Sequence, residues 1–159
     1  TDGIHFLHKE ISFAYRMGNL QAALGLAQLE EVNASLRRKN QITKLYKRLL
    51  SGINELVLPI EKDYAKRLYW NFEILLPDKK TRDNLAKFIV KKGIETRSSF
   101  IPLHKQPAFL KIGLFKKEVY KNAEYISDRG ISLPSGVAIK DAELIYTARK
   151  VNDFFKRKS

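Results

Sequence analysis

From Leu20 onward, apolar residues return every three or four positions, at Leu24, Ala27, Leu29, Val32 and Leu36, and again at Ile42, Leu45 and Leu49. That period predicts a helix. Asn19 suits its N-cap, and Ser51-Gly52 supplies the stop, with glycine fitted to a left-handed position past the last turn. At 1.5 Å per residue its roughly 30 residues reach on the order of 45 Å. Such a rod exceeds what a compact domain of this size needs, so a bend or break is expected near Lys39-Asn40. Ala22, Ala23, Gly25 and Ala27 lie between the leucines. A glycine inside a helix costs roughly 1 kcal/mol relative to alanine, so these small residues suit close approach by another backbone.

Residues 1–18 read as an irregular lead-in containing the extended-looking "EISFAYRM". Beyond Gly52 the pattern shortens. "ELVLPI" and "LYWNFEILLP" are β-like runs closed by prolines, and Trp70 is expected in the sheet core. Asp78 or Thr81 can cap a helix through "RDNLAKFIVKK", with Leu85, Phe88 and Ile89 inward and Gly93 at its end. "GIETRS" reads as a third strand, and "SFIPLHKQPAFLKIGLF" as a long aperiodic loop. "KKEVYKNAEYISDRG" is a helix stopped by Gly130, "ISLP" a fourth strand, and Asp141 opens a last helix with a basic end. The expected fold class is α/β, an α+β small domain. A long N-terminal helix is followed by a small, largely antiparallel sheet covered by helices. The expected division is 1–52, lead-in and helix, and 53–159, the small domain.

The 159 residues are 44% hydrophobic and contain no cysteine, which excludes disulfides and thiolate metal sites. No run approaches a membrane span, and the first residues carry neither a basic start nor a long apolar stretch. A cytoplasmic protein is the expectation. Thirty Lys+Arg against seventeen Asp+Glu give +13. A polyanion partner would explain that excess, but the lysines are scattered, without zinc-finger spacing or an RNA-binding signature. Nucleic acid is therefore the weaker explanation.

The long loop is the first candidate for chemistry, because loops of its length in compact domains are usually functional or disordered. Arg97, Phe100, Pro102, His104, Lys105, Gln106 and Pro107 fall within eleven positions. An aromatic ring and an imidazole on a proline-stiffened backbone could line a pocket; a surface connection with a solvated His104 is the plainer alternative. His5, His8 and His104 are too scattered for a metal site, no glycine-rich phosphate loop is present, and no nucleophile constellation stands out. The residues alone offer a ligand loop and no catalyst.

Three segments carry a family resemblance. "HKEISFAYRMGNLQAALGLAQLE", "KKGIETRSSFIPLHKQPAF" and "GISLPSG" resemble, in order, motifs of the DegT/DnrJ/StrS sugar aminotransferases. Those are pyridoxal-phosphate enzymes of the aspartate aminotransferase fold, which move an amino group, usually from glutamate, to a keto group on a nucleotide-linked sugar. The resemblance covers their C-terminal half. It implies pyridoxal 5'-phosphate as cofactor of the complete enzyme, a homodimer or association through the long helix, and no membrane. It also implies that Tyr15 and Arg16 reach into a neighbouring subunit's cofactor pocket, while Arg97, Phe100, Pro102 and His104 border the sugar. No lysine here sits in the family's Schiff-base motif, so no catalytic residue is assigned and the chain alone is expected not to transaminate. Ala14 stands where the family has an asparagine that donates to the cofactor phosphate, and Ser12 replaces a customary glycine. Two other readings stand beside this one: a stand-alone or degenerate relative acting as a binding or interaction module, and a basic nucleic-acid-binding module.

Overall fold

A computed structural model describes residues 13, 15–65, 67–115 and 117–156. Ala14, Ser12, His5 and His8 lie outside the described residues. By its internal contacts the chain divides into two units, residues 1–33 and 34–159.

In the first unit, helix α1 runs Asn19–Glu30. Its N-cap is Gly18, in extended backbone, so Asn19 is already the first helical residue. None of α1 is buried, and Leu20, Leu24, Leu26 and Leu29 are all exposed. At about 100° per residue Leu20 and Leu24 lie about 40° apart and Leu26 and Leu29 about 60° apart, two pairs on roughly opposite sides of the axis instead of one stripe. The interruption of the long helical pattern comes at Glu31, which caps α1, and not at Lys39-Asn40.

Helix α2, Val32–Leu50, leads into the second unit, and there the one-face rule returns. Ile42, Tyr46 and Leu50, at i, i+4 and i+8, are buried. This is why the contact boundary falls at residue 33, whereas the sequence suggests one after Gly52: most of α2 belongs to the core of the second unit. Helix α3, Lys79–Val90, adds Leu85 and Ile89. Asp78 caps it, its Oδ1 accepting the Thr81 N–H at 2.7 Å. Gly93, at φ 75°, takes the left-handed turn after α3; Gly52 does not adopt one. Helix α4 (Pro107–Lys111) is a short piece within the long loop, after a 3-10 turn at Leu103–Lys105. Helix α5 is Lys121–Arg129, and α6, Asp141–Lys156, buries Leu144, Ala148, Val151, Phe154 and Phe155.

Strands β1 (Phe72–Leu75), β2 (Arg97–Ser98) and β3 (Gly130–Leu133) form an antiparallel sheet in the order β1-β3-β2. The expected strand "ELVLPI" is only an isolated bridge, Val57 to Leu75. Pro59, without an N–H, cannot extend the ladder. On one sheet face Phe72, Ile74, Ile131 and Leu133 join the α2, α3 and α6 residues in a single core. Tyr46 and Phe72 stack at 4.8 Å, and the Tyr46 hydroxyl donates to the Pro134 carbonyl at 2.8 Å. Helices α2 and α6 are also joined by polar contacts: Arg38 to Asp141 at 2.8 Å, and Asn152 Nδ2 to the Leu49 carbonyl at 3.2 Å.

Candidate functional site

The opposite face of the sheet carries the polar residues. Ser132 pairs with Glu73 on one side and with Arg97 on the other. Directly opposed residues of an antiparallel ladder share a face, so the three form one row across all three strands. The hydroxyl of Ser99, just past β2, donates to Glu73 Oε1. Gly130 makes that contact possible. A Cβ at Gly130 would collide with the Ser99 hydroxyl and the Glu73 carboxylate, and would lie 2.8 Å from the Ile126 carbonyl.

This row is the floor of a cavity of about 490 Å³, walled by Trp70 and Phe100. The two rings lie 7° from parallel with centroids 6.3 Å apart, and both are exposed, at 65% and 80%. Trp70 is therefore a wall residue and not sheet core. β1 begins only at Phe72, and before it the chain turns, the Trp70 N–H donating to the Leu68 carbonyl at 3.0 Å. Strand alternation does not reach back to position 70. Lys39 fixes the turn. Its ammonium donates to the carbonyls of Trp70 and Ser135, each at 2.7 Å, and the Ser135 hydroxyl in turn accepts the Phe72 N–H at 3.2 Å.

The electrostatics of the floor follow from burial. Desolvation pushes the Glu73 carboxyl above its ordinary value, against the opposing pull of Arg67. Desolvation also lowers the Lys39 ammonium.

The structure brings Arg97 and Phe100 into this cavity. It does not bring Pro102 and His104 there. Pro102 is half-buried, and His104 is buried away from the lining. The His104 ring lies 4.9 Å from that of Tyr120, and its Nε2 is 2.8 Å from Glu124 Oε1. Lys105 reaches the other oxygen of Glu124 at 2.6 Å. Those two bonds, Lys105 first, hold the Glu124 carboxyl below its ordinary value. Tyr15 and Arg16 are exposed residues of the first unit. Glu73 and Ser132 escaped the sequence reading, although the alternation in "FEIL" and "ISL" puts both on the face opposite the core. Lys39 and Glu124 gave no such signal.

The model of the DegT/DnrJ/EryC1/StrS aminotransferase family matches residues 2–152. The chain belongs to this family. GDP-perosamine synthase of Escherichia coli O157:H7 is 34% identical over 154 residues, 96% of this chain and 40% of that protein. GDP-perosamine synthase of Vibrio cholerae is 30% identical over 96% of this chain and 41% of its own length. The chain thus spans about 40% of the length of these relatives. Among solved structures, Helicobacter pylori PseC, an aminotransferase of pseudoaminic acid biosynthesis, superposes with a TM-score of 0.82 at 23% identity. That similarity covers 94% of this chain and 40% of PseC. At that identity it speaks for the fold, which is that of the sugar aminotransferases.

Members of the DegT/DnrJ/EryC1/StrS family use pyridoxal phosphate. The cavity built by the second unit of this chain does not by itself fit that cofactor. Lys39, the lysine on its lining, donates to two carbonyls, whereas Schiff-base formation needs an amine free to attack an aldehyde. A phosphate on this floor would meet the Glu73 carboxyl as well as the Arg97 guanidinium. Among the described residues no group of three or more His, Cys, Asp or Glu is placed to hold a metal ion. No helix of the described residues is long and apolar enough to cross a membrane.

Proposed function

We propose that the chain is the C-terminal part of a nucleotide-sugar aminotransferase, moving an amino group from glutamate to a keto-deoxy sugar nucleotide, and that it is inactive without the remainder of such an enzyme. The observation that carries this reading is α1. The eleven residues of α1 before Glu30 carry no charge and hold four leucines in two pairs on roughly opposite sides of the axis, and none is buried. A helix with leucines on two opposite sides is not covered by one flat surface, and single-stripe docking would leave one pair wet. The small residues Ala22, Ala23 and Gly25 allow backbones to approach closely, and nothing lies within 4 Å of where a Gly25 Cβ would stand. In this reading α1 meets the rest of its protomer and a dimer partner, Tyr15 and Arg16 serve the neighbouring cofactor pocket, and Arg97 and Phe100 face the sugar. His104 supports the loop through Glu124.

The test is reconstitution. The chain is mixed with the N-terminal section of a GDP-perosamine synthase, carrying its cofactor lysine, and supplied with pyridoxal phosphate. Visible absorbance and co-elution of the two pieces are expected. A colourless mixture whose components elute separately overturns the reading.

A further inference from the structure

We propose that the tip of the long loop, between α4 and α5, docks on an anionic phospholipid surface. Ile112, Leu114 and Val119 enter the headgroup layer, and Lys111, Lys117 and Lys121 meet its phosphates. The inference goes beyond the aminotransferase reading and does not rest on it. It departs from the expectation of no membrane partner. No helix of the described residues is long and apolar enough to cross a membrane, so the contact is peripheral.

The tip has a built shape. Gly113, at φ 84°, ends α4, its N–H donating to the Leu110 carbonyl and the Leu114 N–H to the Phe109 carbonyl, each at 3.0 Å. That paired closure is what a left-handed residue after a helix permits. Phe115, at φ 55°, holds a backbone conformation that aromatic residues rarely take. Its ring meets Phe109 edge-on at 6.1 Å, and both are half-buried. The loop therefore has an inside of its own, and it turns other apolar residues out. Ile112 is 70%, Val119 67% and Leu114 48% exposed.

Charge decides between the occupants. From Lys111 to Lys121 the sequence has four lysines, one glutamate and no arginine. Lys111, Lys117 and Lys121 are exposed, and none has an ion pair among the described residues. A protein partner, whether a second copy or the remainder of a longer enzyme, would take the apolar residues. Protein interfaces, however, favour arginine and are depleted in lysine. A nucleic acid would take the lysines but leave Ile112, Leu114 and Val119 wet, and the Phe109 and Phe115 rings face each other instead of offering a stacking platform. An anionic bilayer surface takes both sets, since apolar side chains enter between the headgroups while ammoniums on long stems stay with the phosphates.

The 159-residue chain is floated with vesicles of equal parts phosphatidylglycerol and phosphatidylcholine, and with vesicles of phosphatidylcholine alone. Binding to the first and not to the second is expected. Lys111→Gln with Lys117→Gln should weaken it about twentyfold, at about fivefold per lysine. Ile112→Ser with Leu114→Ser should weaken it about tenfold at unchanged charge. Lys87→Gln with Lys91→Gln, exposed on and just after α3, removes the same charge elsewhere and should cost less than about threefold. Ile112→Trp in a Trp70→Phe background makes position 112 the sole tryptophan, and its emission should move to the blue on the anionic vesicles. All these side chains are exposed, so the variants leave the core intact. No binding, equal binding to both vesicles, an equal loss from the two lysine pairs, or an unmoved emission overturns the proposal. So does a blue shift with duplex DNA in place of vesicles. If Ile112→Ser with Leu114→Ser disperses a dimer on size-exclusion chromatography, or stops co-elution with the N-terminal section in the reconstitution, the loop belongs to a protein contact and the proposal falls.

Discussion

His104 and Glu124, twenty residues apart, are joined by a 2.8 Å contact between Nε2 and Oε1 that ties the long loop to α5. The plainer alternative for the loop, a surface connection with a solvated His104, does not hold. The imidazole is buried, and Lys105 closes the same carboxylate from its other side.

This clasp has a pH signature. The folded state lowers the Glu124 carboxyl below its ordinary value of 4.5. Its contribution is therefore present above that value and is lost as pH falls through the lower folded-state value. Glu124→Gln should lower Tm at pH 7, and the deficit should close toward pH 3. A deficit that is constant with pH would mean that the charge is not the source of the stabilisation.

Glu73 has the opposite sign. Its carboxyl is raised, so the ionised form disfavours the folded state, and the penalty disappears as pH falls below the ordinary carboxylate value. Glu73→Gln keeps the shape and removes the charge. Thermal melts should show the variant more stable than the parent at pH 7–8, with the advantage shrinking toward pH 4.

Gly130 should tolerate no side chain. Gly130→Ala would press a methyl group between Ser99, Glu73 and the Ile126 carbonyl. Urea unfolding should show a loss of about 1–3 kcal/mol, as for overpacked cores. Gly25→Ala, in open space within α1, should show no such loss and serves as the control.

Deleting residues 1–33 should leave a folded domain. Among the described residues every member of the hydrophobic core lies at or beyond Ile42, so the urea midpoint should shift by less than about 0.5 kcal/mol equivalent. The deletion removes the exposed leucines of α1, and size-exclusion chromatography should show less self-association than for the whole chain. Equal elution of the two at high concentration would show that α1 is not the adhesive element.

Where one element buries one face, the sequence was sufficient. Leu85 and Ile89 in α3 and the Asp78 cap follow from spacing and capping chemistry. The same logic failed at Trp70, which has the parity of Phe72 and Ile74 but lies before the strand starts, in a turn held by a lysine thirty-one positions away. It also failed at "ELVLPI", where alternation is present but only Val57 finds a partner. The site was half legible. Arg97 and Phe100 stood out in the loop. Glu73 and Ser132 needed the strand register, and Glu124 needed the tertiary placement of α5, neither of which a local pattern encodes.

Helix α5 ends at Arg129 and β3 begins at Gly130, with no connecting residue between them. The Arg129 carbonyl, at that joint, also accepts the Leu76 N–H at 3.0 Å. Glu124, in α5, and Ser132, in β3, therefore sit on the two arms of one stiff lever whose joint has no slack. A displacement of the long loop that tugs on the carboxylate would be delivered straight to the middle strand, without a flexible link to absorb it.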